Sequence, residues 1–389
     1  MKRPDMIDKD IEEILQRGED SRIQFKARID GAGSLAAEIC ALANTYGGYI
    51  FIGVSDNGDV VGVENVRDLN QWIANACSQK IEPPVGVTTE NILVRGKLLV
   101  LINVPPGTNK PYAANKMDFW VKVGADKRRA TREDFTRLMQ ASGNLFADET
   151  VVTNSTIADL DIFLFKNFYE REYGEGLDGL HLPIEKLFHN IKVMQDDKLT
   201  LAGLLLFGRH PEILKPQFVV KAVAFPGNDL GGNEYLDSED IIGPLPQIYK
   251  NTIGFLKRNL QKKQKGRSVN FPGLLEIPQV ALEEAVVNAL IHRDYYINSS
   301  VRVFIFANRV EIISPGKLPN TVTTETIRYG IQIVRNPILL SFVTKLEIPY
   351  RGIGSGIIRM MKECRQAGIP QPVFEEDAEA EQFKVIFSR

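Results

Sequence analysis

The stretch Val280-Ala-Leu-Glu-Glu-Ala-Val-Val-Asn-Ala-Leu-Ile-His-Arg-Asp-Tyr295 decides how the chain is read. Its apolar residues recur at helical spacing, and Glu284 and Asn288 fall one turn apart, so both project from one face. Val280, Ala285, Val287 and Leu290 supply the packing. An acid beside a carboxamide on an apolar helix suits a nucleotide site. The amide oxygen can ligate Mg²⁺, and a carboxylate can orient or deprotonate a water. The alternative at this point is an amphipathic helix with both polar groups in solvent.

The segments that follow narrow the choice. Residues 301–306 alternate and are β-branched, which predicts a strand. Asn308 and Arg309 form a hairpin turn, residues 310–313 the returning strand, and Ser314-Pro315-Gly316 a further turn. Tyr350-Arg-Gly-Ile-Gly-Ser-Gly-Ile357 then opens a helix over 358–364. Glycines there let backbone N–H groups approach an anion at the positive end of the helix. The order of these parts is far more specific than any single glycine motif.

That order resembles the nucleotide-binding domain of the GHKL ATPases, the class of DNA gyrase and the histidine kinases. It resembles more closely a divergent branch in bacterial and archaeal proteins labelled transcriptional regulators. There the Glu-x-x-x-Asn-Ala, His-Arg-Asp-Tyr, Ser-Pro-Gly and Arg-Gly-x-Gly pieces recur as they stand here. The resemblance implies an α/β sandwich over 269–389 that binds ATP with Mg²⁺. It makes Glu284 the water-activating acid and Asn288 the Mg²⁺ ligand. Gly316 falls in the adenine-side turn, and Gly352, Gly354 and Gly356 form the phosphate loop. The better-known relatives read adenine with an Asp in an Asp-x-Gly turn, where this chain has Ser314-Pro315-Gly316. Nucleotide binding is therefore expected ahead of efficient hydrolysis.

Residues 1–140 predict a separate α/β unit. Its helices are expected at 7–17, from Ser34, and at 68–79, and its strands at 19–26, 49–54, 98–104 and 119–123. Asp56-Asn57-Gly58-Asp59 is a turn signal, and Thr131-Arg-Glu-Asp134 is a capping box opening a last helix. The pieces Gln24-Phe25-Lys26, Ala43-Asn44-Thr45, Gly47-Gly48, Asp56-Asn57-Gly58 and Val121-Lys122-Val123-Gly124 resemble the Schlafen-type, AlbA-like domain. That family is associated with DNA and RNA binding, and some members are divalent-metal-dependent RNA endonucleases that use three carboxylates. These map to Glu19, position 24 and Asp56. Position 24 is Gln24 here, which removes one negative charge from a site that must hold a divalent metal. Turn chemistry alone also accounts for Asp56. Lys26, Arg28, Lys122, Lys127, Arg128, Arg129 and Arg132 offer phosphate contacts of the salt-dependent, sequence-tolerant kind. Trp120 is either a base-stacking or a core aromatic.

At 389 residues the chain exceeds the size of one core, so several domains are expected, with 141–268 joining the two described. The hydrophobic share of 44% and net charge of −2 are those of a soluble protein without a global basic field. Three scattered cysteines without ligand spacing predict reduced core thiols. No membrane span is expected, and the expected compartment is the cytoplasm. The basic run 257–267 is read as a solvated helix end. Taken together, the sequence predicts a multidomain α/β (α+β) protein that binds nucleic acid and acts as a regulator of the transcriptional type. ATP at the GHKL-like domain would switch it, and homo-oligomers are expected because related domains pair when loaded. The alternatives are a Schlafen-type RNA endonuclease, weakened by Gln24, and a scaffold with both sites vestigial.

Overall fold

Residues 97–104, Lys-Leu-Leu-Val-Leu-Ile-Asn-Val, leave almost no polar face, so the strand they form is covered on both sides. The computed structural model describes residues 8–174, 176–177, 182–231, 234–263, 273–318, 322–330, 333–350, 354–377 and 379–389. Gly352, His181 and residues 264–267 of the basic run lie outside the described residues. The chain divides into the units Met1–Leu145 and Phe146–Arg389.

The first unit is built on β1 (Ile23–Lys26), β2 (Gly48–Ile52), β3 (Thr88–Val94) and β4 (Lys97–Val104), in the order β1-β2-β4-β3. β1 and β2 are parallel and the other pairs antiparallel. Because side chains alternate along a strand, β2 and β4 feed two cores. Ile50, Ile52, Val100 and Ile102 meet Leu35, Ile39 and Leu42 of helix α2 (Ala32–Asn44). Phe51, Leu99 and Leu101 meet Ile11 and Leu15 of helix α1 (Asp8–Arg17). A third helix, α3 (Val66–Asn75), adds Leu69 and Ile73 to the first core. A separate hairpin, β5 (Trp120–Val123) and β6 (Asp126–Arg129), precedes helix α4 (Arg132–Ala141). α4 opens on the expected capping box: Thr131 Oγ1 accepts from Asp134 N at 3.2 Å, and Asp134 accepts from Thr131 N at 2.7 Å.

The second unit carries a six-stranded sheet of β7 (Val220–Ala224), β8 (Asp237–Ile241), β9 (Val301–Ile305), β10 (Arg309–Pro315), β11 (Val373–Asp377) and β12 (Gln382–Ser388). The order is β8-β7-β9-β10-β12-β11, with β7 and β9 parallel and the rest antiparallel. Its helices include α5 (Ile162–Tyr173), α6 (Leu201–Phe207), α7 (Leu245–Asn259), α8 (Gln279–Ile291), α9 (Pro337–Val343) and α10 (Gly356–Ala367). Nine of the thirteen residues of α8 are buried, as a largely apolar helix requires. It packs against α7, α10 and strand β10, which sets Glu284 and Asn288 opposite the start of α10. Cys40, Cys77 and Cys364 are buried and free, and burial pushes each thiol up to about 11. The chain is a multidomain α/β protein.

Candidate functional site

Glu284 is only 2% exposed, so the solvent-facing alternative for α8 does not hold. A buried carboxylate without partners costs several kcal/mol, and here both oxygens are engaged. Asn288 Nδ2 donates to Oε1 at 3.2 Å, and the Arg359 guanidinium of α10 pairs with Oε2. Asn288 thereby spends its nitrogen on Glu284 and keeps its amide oxygen as the atom suited to a cation. Gly356, the first residue of α10, has its Cβ position filled by the Glu284 carboxylate, so a larger residue there requires that carboxylate to move. Val280, expected to pack, lies instead on the outer edge of the helix at 36% exposure.

These groups line one cleft of about 1060 Å³ of non-atom space, its open mouth included. Gly316, Gly354 and Gly356 all line it, together with Glu284, Asn288 and Arg359. Gly316 has φ +108, and a Cβ there would run into Asp294. The turn before it is tied to α8, because Ser314 Oγ donates to Ala289 O at 2.9 Å. Arg335 holds the same corner by donating to His292 O at 3.0 Å and Lys317 O at 2.8 Å. His292 Nε2 lies 2.9 Å from the Tyr350 hydroxyl. Burial, with a smaller push from Arg335, brings the His292 imidazole down to about 4, so it is neutral near pH 7. Burial likewise raises the Tyr350 hydroxyl to about 12. Arg293 follows with a structural role: its guanidinium lies over the Phe218 and Tyr295 rings and donates to Ile297 O at 3.0 Å. Arg335, Tyr350 and Arg359 were not legible as cleft residues. The one available signal was that Arg359 lies a turn past Gly356.

In the first unit Gln24 is buried and bonded on both sides. Its nitrogen donates to Glu19 Oε1, and its oxygen accepts from Lys122 Nζ at 2.7 Å. Glu19 also accepts from Phe25 N at 2.6 Å. The Lys122 ammonium is buried, and burial lowers its pKa. A cation is thus already in place beside Gln24, and these residues do not fit a divalent metal. Among the described residues no group of three His, Cys, Asp or Glu side chains is arranged to hold a metal ion. Asp56 is exposed in a turn closed by Ser55 N to Asp59 O at 2.9 Å.

Most of the predicted basic face is engaged by acids. Glu38, buried on α2, receives Lys127 at 2.6 Å and Lys26 at 3.3 Å. Arg128 pairs with Asp134 at 2.5 Å and Arg129 with Asp118 at 2.9 Å. Arg28 and Arg132 are exposed. Lys127 and Arg129 sit over the Trp120 ring at 5.7 and 5.8 Å from its centroid. The lone acid in the apolar run Leu35-Ala-Ala-Glu-Ile-Cys40 was the sequence sign that Glu38 is buried with partners.

Three family models match parts of the chain. Residues 19–131 match the Schlafen, AlbA_2 model. Residues 298–387 match the one described as "Putative ATP-dependent DNA helicase recG C-terminal", a span that begins after the helix bearing Glu284 and Asn288. Residues 136–221 match a domain of unknown function. No curated protein matches the chain. Among solved structures, the DIP2311 protein of Corynebacterium diphtheriae is 22% identical over 97% of this chain and 68% of that one, with a TM-score of 0.47. The N-terminal domain of a RecG-related protein from Nitrosomonas europaea is 23% identical, over 32% of this chain and 94% of that one, with a TM-score of 0.25. No helix among the described residues is long and apolar enough to cross a membrane. The chain therefore carries a Schlafen AlbA_2 domain, followed toward its C-terminus by a domain of the RecG C-terminal, ATPase-related type.

Proposed function

We propose that this protein is a nucleic-acid-associated regulator, of the transcriptional type, that binds ATP in the α8–α10 cleft. The observation that carries the reading is the buried pair Glu284–Asn288 set against the glycine start of α10. The first turn of α10 presents backbone N–H groups and the positive end of the helix dipole to a phosphate. Asn288 offers its amide oxygen to Mg²⁺, which when bound would screen the phosphate charge. Gly316 lets the Ser314-Pro315-Gly316 turn approach a base, and His292 beside it is neutral. Glu284 is the group that would orient or deprotonate a water. Its ion pair with Arg359 makes binding the primary role and turnover secondary.

The Schlafen AlbA_2 domain supplies the nucleic-acid contact in this reading, through Arg28, Arg132 and the ion-paired Lys26, Lys127, Arg128 and Arg129. Such contacts neutralise phosphates without reading bases. ATP acts as a switch if its bound form favours a different conformation or a homo-oligomer, by the difference in affinity between the two states. The test is fluorescence anisotropy of a labelled duplex and a labelled RNA, titrated with the full chain, with and without ATP and Mg²⁺. The reading expects salt-dependent binding whose affinity changes when ATP is present. Nucleic-acid affinity that ATP leaves unmoved contradicts the switch.

A further inference from the structure

Glu284 lines the cleft but is locked by a cation from the facing helix. Arg359 reaches back from one turn into α10 to pair with Glu284 Oε2, while its own Nε is buried without a partner. The guanidinium has five donors in a fixed fork suited to two oxyanions at once, and the Nε left unused is the donor that a second oxyanion would take. Arg359 also lines the cleft, at the same helix start to which the proposed phosphate binds. A phosphate brought there carries more charge than a carboxylate and has three oxygens to offer.

We propose that Arg359 is the residue that senses the terminal phosphate of a nucleoside triphosphate, and that this phosphate competes with Glu284 for it. Resting on the nucleotide-site reading above, the inference makes the Glu284–Arg359 pair a latch. When Arg359 turns to the phosphate, Glu284 is released to act on a water beside that same group. A diphosphate, lacking the terminal group, leaves the latch closed. Arg359 is thus a positioning and specificity-determining residue, and the preference it creates is for triphosphate over diphosphate.

The experiment is calorimetric titration of the full chain with ATP and with ADP, each with Mg²⁺, for the wild type, Arg359→Gln, Arg359→Lys and Glu284→Gln. Loss of a charge-assisted contact weakens ATP about tenfold in Arg359→Gln, while ADP is little changed. Arg359→Lys recovers part of the ATP preference. Glu284→Gln binds ATP more tightly than wild type, because the competing charge is gone. If Arg359→Gln alone does not fold, the double variant with Glu284→Gln leaves no unpaired buried charge and must still lose the ATP preference. Equal weakening of ATP and ADP, or looser ATP binding in Glu284→Gln, overturns the latch. A wild type that binds neither nucleotide overturns the nucleotide-site reading itself, and the latch with it.

Discussion

Residue 356 and the Glu284 carboxylate share one space: a Cβ on Gly356 would sit on the carboxylate. The start of α10 and the acid of α8 are therefore a single packed unit, and neither can be altered without moving the other. Gly356→Ala must push Glu284 out of its pairing with Arg359 and Asn288. Overpacking of this kind costs about 1–3 kcal/mol, read as a lower urea midpoint. A Gly356→Ala protein with an unchanged midpoint would show that the two residues do not pack together.

Two buried groups in the second unit give opposite pH dependences. Asp148 is fully buried and accepts from Ile338 N and Leu339 N at 2.7 and 2.9 Å, and burial raises its carboxyl to about 6. A raised carboxyl contributes stability that is complete below its ordinary value of 3.8 and is lost as pH rises through about 6. His292, lowered to about 4, contributes stability that is complete above 6.5 and is lost as pH falls through about 4. Each effect is at most about 3 kcal/mol, and between these limits they offset one another. Asp148→Asn should therefore expose a stability that rises with pH across this range, and His292→Gln one that falls. Urea midpoints measured from pH 4 to 7 check both; parallel profiles in the two variants would refute the assignment.

What could be read from the sequence follows physical rules. Helix α8 was legible because from Val280 on its apolar period is interrupted only at Glu283, Glu284 and Asn288, and β9 because its alternation is clean. β6, Asp-Lys-Arg-Arg, has no apolar residue at all; pairing with β5 and the acids Glu38 and Asp134 make it a strand. β8 and β3 escaped notice because each lies at the edge of its sheet and is largely polar. The Glu284–Arg359 pair spans 75 residues, and tertiary packing alone brings it together. The same holds for Lys122, whose charge suggested a surface contact but whose ammonium is buried against Gln24. Charge in a sequence does not say which residues are already paired.

That pairing leads to a prediction for the first unit. Gln24→Glu gains a carboxylate beside Lys122 and forms an ion pair with it, so no Mn²⁺-dependent RNA cleavage is expected. A gel assay of a labelled RNA with Mn²⁺ checks this, and metal-dependent cleavage by the variant would contradict the reading that Lys122 fills the cation position.

Arg28 and Arg132 are exposed basic residues suited to phosphate contacts. Replacing both by Ala should weaken nucleic-acid binding uniformly across sequences and lower the salt slope by roughly 1 per lost contact. Anisotropy titrations at several salt concentrations measure the slope. An unchanged slope would place the phosphate contacts elsewhere.

The central claim is the nucleotide site, and the most direct measurement is a thermal-shift titration of the full chain with ATP and Mg²⁺, on wild type and Asn288→Ala. Binding to the folded state alone stabilises by about 2.7 kcal/mol at a hundredfold excess over Kd. The account predicts a saturable rise in Tm for wild type that is strongly reduced in Asn288→Ala. No shift in wild type, or the same shift in both proteins, would contradict it.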